Sequence, residues 1–190
     1  MNAGIYRERA DATADRLVVM RRHPTVLAML AALAFGVPAL ASPSNGDPIG
    51  TLRFADAEGQ PIVLDKPGVV YLVDFWALGC KPCIQEMPEL ERLAKEYEPS
   101  GRVRLVSVVW GGYKGKDLLK VAEQAGAKMP IYSDPENWHD RLEVDGFPTK
   151  FFVRDGTVLA RLRGGGAGLY GHWKGTLEKE LKPPKAVKAP

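Results

Sequence analysis

Apolar residues along the chain fall into blocks whose spacing switches between two periods. From Gly68, "GVVYLVDFWA" is almost unbroken apolar and rich in Val and aromatics, which predicts a strand buried on both faces in the middle of a sheet. Directly after it, Ile84, Met87, Leu90, Leu93 and Ala94 recur at spacings of three and four with Glu and Lys between them. That is a helical period, with a kink expected at Pro88. "GRVRLVSVVW" predicts a second buried strand. "KDLLKVAEQAG" predicts an amphipathic helix stopped by Gly126. "MPIYSD" reads as a short strand and "NWHDRLEV" as a short helix. "TKFFVRDGTVLARLRG" reads as a hairpin turning at Asp155-Gly156, and "HWKGTLEKEL" as a terminal helix. Upstream, "TLRF" and "PIVL" around Gly59 predict a further hairpin.

The predicted order is ββ–β–α–β–α–β–α–β–β–α. It implies an α/β fold: a central mixed β-sheet flanked by helices on both faces, an antiparallel hairpin at one edge and an N-terminal β-hairpin extension.

The ends follow different rules. Arg21 and Arg22 precede the apolar run "TVLAMLAALAFGVPALA", and Ala39-Leu40-Ala41 offers small residues where a signal peptidase reads. Residues 1–41 are therefore expected to be a signal peptide or an N-terminal membrane anchor, with Met20 as an alternative start. The run is short for a membrane span, which favours cleavage after Ala41. Residues 42–50 are Pro/Gly/Ser-rich and read as a linker, 51–182 as the folded domain, and 183–190 as a flexible basic tail.

Composition narrows the function. Hydrophobic residues make up 45%, enough for an ordinary core without staples. The formal charge is only +3, and no basic stripe is interleaved with aromatics, so nucleic acid is not an expected partner. The chain has two cysteines, Cys80 and Cys83. An exported Cys pair oxidises unless something reduces it.

Cys80 and Cys83 stand where the buried strand gives way to the helix. Free N–H groups and the positive end of the helix dipole there favour a thiolate. A thiol of pKa about 8.5 is only about 3% ionised at pH 7, whereas one lowered to about 7 is roughly half ionised. Lys81 adds a positive charge, and Pro82 fits the first helical turn, where a missing N–H is no loss. Two intervening residues let the sulfurs close into a disulfide with little movement. A zinc site would need a second ligand pair, and only His23, His139 and His172 remain, scattered. A purely structural disulfide would close a very short loop and constrain the unfolded chain little. Redox chemistry is the favoured reading of the three. No metal and no cofactor beyond the Cys80–Cys83 pair is expected.

Val73-Asp74-Phe75-Trp76-Ala77 followed by Cys80-Lys81-Pro82-Cys83 resembles the active-site strand and turn of thioredoxins. Glu86-Met87-Pro88-Glu89-Leu90 resembles the continuation in the exported, TlpA-like branch of that superfamily. "VDGFPTKFFVRDG" from Val144 resembles the second thioredoxin motif. The resemblance spans roughly residues 48–181 and implies a thioredoxin-like fold. It implies that Cys80 is the attacking nucleophile and Cys83 the buried resolving thiol. It also implies that Pro148 is cis, with Phe147 before it offering backbone to an extended substrate and Thr149 after it. Asp74 would be a buried carboxylate that moves the resolving thiol's proton. TlpA-like proteins often have a neutral residue there. Gly79 stands where a bulky residue is usual, and Lys81 should make the disulfide somewhat more oxidising. Trp76 reads as wall or core. The loop "GGGAGLYG" lacks a phosphate-cradle continuation and reads as a flexible connector.

The resemblance implies a periplasmic or cell-envelope thiol–disulfide oxidoreductase acting on protein thiols and disulfides, as a reductase. Its expected electron donor is a membrane thiol-reducing transporter, and cytochrome c maturation is one role it would fit. The alternatives are an oxidase or isomerase, or a non-enzymatic Cu(I)- or zinc-binding thiol module.

Overall fold

A computed structural model describes residues 42–182. The expected signal or anchor segment, the Met20 start and the basic tail lie outside the described residues. The apolar run after Gly68 forms β3 (Val70–Ala77), after the hairpin β1 (Arg53–Ala55) and β2 (Pro61–Val63). There follow α1 (Lys81–Tyr97), β4 (Val103–Trp110), α2 (Lys116–Ala125), β5 (Ile131–Tyr132) and α3 (Trp138–Arg141). The described residues end with β6 (Thr149–Arg154), β7 (Thr157–Arg163) and α4 (Tyr170–Leu181). The element order is the one the apolar periods predict. α1 runs through Pro88 as one helix. Gly126 ends α2 in the left-handed conformation (φ 69°), where a Cβ would be unfavourable. Asp155 and Gly156 turn the β6–β7 hairpin with φ of 50° and 70°.

Five strands form one sheet in the order β5-β4-β3-β6-β7. β3, β4 and β5 are parallel, and β6 and β7 are antiparallel to their neighbours. β3 lies in the middle, which is why both of its faces are apolar. Val73 and Phe75 point to a core shared with Phe151 and Val153 of β6, Leu52, Phe54 and Leu64 around the β1–β2 hairpin, and Trp138 of α3. Val70 and Leu72 point the other way, to Leu90 and Leu93 of α1 and Trp173 and Leu177 of α4. Trp76 joins Cys83, Met87, Val109 and the apolar face of α2. The sheet is thus flanked unequally. The three long helices share one face, and the hairpin with the four-residue α3 covers the other.

Residues 42–50 differ from a free linker. Gly46 N–H donates to Val158 O (2.7 Å), Ile49 N–H donates to Gly156 O (2.8 Å), and Pro48 bridges Thr157. The β6–β7 hairpin offers unpaired edge groups that this segment satisfies. Among the described residues no helix is long and apolar enough to cross a membrane.

Candidate active site

The site begins where β3 ends. Gly79 is exposed and adopts φ 85°, a conformation that strongly favours glycine. That accounts locally for its presence where relatives of the motif carry a bulky residue. Cys80 then serves as the N-cap of α1. Its Sγ accepts from the Cys83 N–H at 3.3 Å, so the sulfur takes the place of a capping oxygen. Cys80 and Cys83 form a disulfide, with Cα atoms 5.3 Å apart. Cys80 is half-buried and Cys83 buried. One sulfur is therefore reachable and the other shielded. Lys81 is exposed beside them, and Pro82 occupies the first turn.

Trp76 is fully buried in the cluster that holds Cys83 and Met87, so it is core. Phe147 packs against the same cluster, and its ring centroid lies 5.8 Å from that of Trp110. The Phe147–Pro148 bond is cis. Thr149 Oγ1 donates to Gly146 O (2.7 Å), closing the turn across that bond. The structure thus gathers Cys80, Cys83, Trp76 and Phe147 at one end of the sheet, with Pro148 and Thr149 leading into β6.

Asp74 lies deeper and is buried. Two residues absent from the list of expected site groups accompany it. Lys150 is opposite Asp74 in the β3–β6 register and is 0% exposed. Its Nζ is 2.5 Å from Glu86 Oε1 and 3.1 Å from Asp74 Oδ1. The first contact is a hydrogen bond. The second is an ion-pair contact without aligned geometry, leaving Asp74 Oδ1 without a hydrogen-bond partner. Nζ also sits 4.8 Å over the Trp173 ring. Burial raises the Asp74 pKa, opposed by Lys150. Burial first, and then the Asp74 charge, push Glu86 up to about 7, again opposed by Lys150.

Sequence reasoning noted Glu86 only as part of a motif and overlooked Lys150. The available signal was period two: Lys150 shares a face with the buried Phe152, beside the apolar run Phe151–Val153.

The glycine-rich segment is not a loose connector. Gly164 N–H donates to Pro148 O (2.9 Å) and Gly166 N–H to Glu86 Oε2 (3.3 Å). Gly168 and Tyr170 N–H groups both donate to Glu89, at 2.5 and 2.7 Å. A Cβ on Gly165 would overlap Pro148 Cγ and Glu86 Oε2. Glycine is needed there because the chain passes directly over the cis-proline and the buried glutamate. Among the described residues no group of three or more His, Cys, Asp or Glu is placed to hold a metal ion.

No protein-family model matches the chain. Curated relatives do. It is 32% identical over 95 residues to the thioredoxin-like protein YneN of Bacillus subtilis, covering 50% of this chain and 56% of YneN. The chain thus spans little more than half of that relative's length. It is 30% identical over 158 residues to the thiol-disulfide oxidoreductase ResA of Geobacillus thermodenitrificans, covering 79% of this chain and 88% of ResA. Among solved structures, a protein described as the thiol:disulfide interchange protein DsbE of Chlorobium tepidum aligns with a TM-score of 0.64. It is 28% identical, over 74% of this chain and 100% of that one.

Proposed function

Since the chain belongs to the TlpA-like thiol–disulfide oxidoreductases of the thioredoxin superfamily, we propose that it exchanges its Cys80–Cys83 pair with cysteines of other proteins. The observation that carries this reading is the asymmetry of the pair: a reachable Cys80 sulfur at the head of α1, bonded to a shielded Cys83. In the reducing direction the Cys80 thiolate attacks a substrate disulfide. A Cys80–substrate bond forms, the substrate S–S bond breaks, and one substrate cysteine leaves as thiolate. Cys83 then gives up its proton and attacks Cys80 Sγ. The Cys80–Cys83 bond forms and the second substrate thiolate leaves. The substrate gains two electrons and the pair is oxidised. The backbone at Phe147, which packs against the same cluster as Cys80, is the proposed edge for an extended substrate.

The proposed direction is reductive, in the cell envelope, with a membrane thiol-reducing transporter restoring the dithiol. The apolar run from Thr25 to Ala41 behind Arg21 and Arg22 supports export, with or without a retained tether. Family membership supports protein thiol substrates.

Equilibration of the protein in graded thiol/disulfide buffers tests the direction. A potential below about −230 mV supports a reductase, and one above about −180 mV moves the reading to an oxidase or isomerase. In envelope extracts Cys83→Ser should accumulate mixed disulfides and Cys80→Ser none. Failure of Cys83→Ser to trap any protein would overturn the exchange reading.

A further inference from the structure

Three buried polar side chains form a row beneath α1, among apolar neighbours on that face of the sheet. Register places Ser107 of β4 beside Asp74 of β3, and Asp74 beside Lys150 of β6. All three are buried, on the face that carries Leu72 and Trp76 to either side of Asp74. Glu86 closes the row from α1. It stands three residues after Cys83, a spacing that brings side chains to about 5–6 Å between Cβ atoms on one helix face. The cluster joins Asp74 from β3 and Glu86 from α1, with Ser107 of β4 the register neighbour of Asp74 and Cys83 three residues before Glu86 on α1. Lys150 comes from β6, the Trp173 ring from α4 and the Gly166 N–H from the glycine loop. Two carboxylates thus share one cation, and the cluster has one negative charge more than it can compensate.

We propose that Lys150 is a positioning residue: its ammonium compensates one of the two buried carboxylates and leaves the other to exchange a proton with Cys83. The proposal rests on the dithiol chemistry above. In the resolving step the Cys83 S–H proton passes to the uncompensated carboxylate of the Asp74–Glu86 pair. The Cys83 thiolate attacks Cys80 Sγ, and the leaving group departs with the electron pair of the broken bond. Lys150 hydrogen-bonds Glu86, so the uncompensated carboxylate is Asp74, whose burial raises its affinity for a proton and suits it to accept the one from Cys83. Without the ammonium, the opposition to burial is lost, both carboxyls shift further towards the protonated form and the acceptor is weakened. Lys150 follows Pro148 by two residues, so the cis turn leads directly into the strand that carries the cation.

The test is Lys150→Met, which keeps the side-chain size and removes the charge. Two readouts are taken on the full chain across pH 5–9. The first is the NMR shift of the Gly166 amide, which reports Glu86 ionisation directly. The second is the reaction of the reduced protein with dithionitrobenzoate. Cys80 releases one thionitrobenzoate on attack, and Cys83 releases the second as it resolves the adduct. The expected result is a Gly166 midpoint about 1–3 pH units higher in the variant. The second release should slow relative to the first by at least about fivefold at pH 7, the gap closing as pH rises. Superimposable midpoints and profiles would overturn the proposal.

Because acid favours the neutral form of both raised carboxyls, the variant should fold at pH 5, and its deficit in melting temperature should widen towards pH 8. An equal deficit at every pH, or a variant unfolded even at pH 5, would mean that Lys150 only supports packing, and the proposal would fall. If wild type released no second thionitrobenzoate, the exchange reading would fail, while the Gly166 titration would still decide the role of Lys150.

Discussion

Replacing Gly165 by alanine adds one methyl group where the chain has no room for it. The new Cβ would stand 2.8 Å from Glu86 Cδ and would overlap Glu86 Oε2 and Pro148 Cγ. Backbone conformation is not the objection, because Gly165 is not in the left-handed region. The question is whether the neighbours can give way. The Pro148 ring lies in a turn closed by Thr149, and the Glu86 carboxylate is held by Lys150. Neither is the free end of a flexible side chain. The loop must therefore lift, and the Gly166 and Gly164 hydrogen bonds loosen with it. Overpacking of this kind costs about 1–3 kcal/mol, and two fixed neighbours place Gly165→Ala in the upper half of that range. With a urea slope of about 1.5–2 kcal/mol/M, the unfolding midpoint should fall by roughly 1–2 M at unchanged slope.

Gly175→Ala is the control. Gly175 is an exposed residue of α4 with no atom near its would-be Cβ. The same substitution there should stabilise by about 0.5–1 kcal/mol, because alanine loses less backbone freedom on entering a helix. The reasoning is refuted if Gly165→Ala leaves the midpoint unchanged, or if both variants move it the same way.

Two further outcomes follow from the charges and caps. Glu86 binds its proton more tightly folded (about 7) than at its ordinary 4.5, so its stabilising contribution is complete below pH 4.5 and is lost as pH rises to about 7. The raised Asp74 acts in the same direction. Urea midpoints should fall across that window in wild type and less steeply in Glu86→Gln, and a level wild-type profile would refute the assignment. Asp134 caps α3, accepting from the Trp138 N–H (2.8 Å) and the His139 N–H (2.9 Å). Asp134→Ala should lose about 1–2 kcal/mol by chemical denaturation, and a change within about 0.5 kcal/mol would show the cap to be dispensable.

The elements of this fold are legible because each rests on a local rule. The run from Val70 to Ala77 has no polar face to show solvent except through Asp74, so it belongs in the middle of a sheet. The three-four spacing of Met87, Leu90, Leu93 and Ala94 is a helix wherever it packs. The pairing of Cys80 with Cys83 is legible for the same reason, since strand end, N-cap and first helical turn follow one another directly between Ala77 and Cys83. Gly79, read as a departure from the motif, is explained by a local backbone angle that residue letters do not display.

By itself, then, the sequence determined the order of elements, the redox pair and its position at the head of a helix. These depend on interactions between residues a few positions apart. Only the tertiary structure decided that Lys150 lies between Asp74 and Glu86, that Gly165 must pass over Pro148, and that the three long helices share one face of the sheet. Those facts depend on strand register and on close approach between segments 64 to 79 residues apart, such as Glu86 with Lys150 and Glu86 with Gly165. Period two says which face Lys150 occupies. What stands opposite is decided only when β3 and β6 pair, because burial of an ammonium is tolerable only where carboxylates meet it.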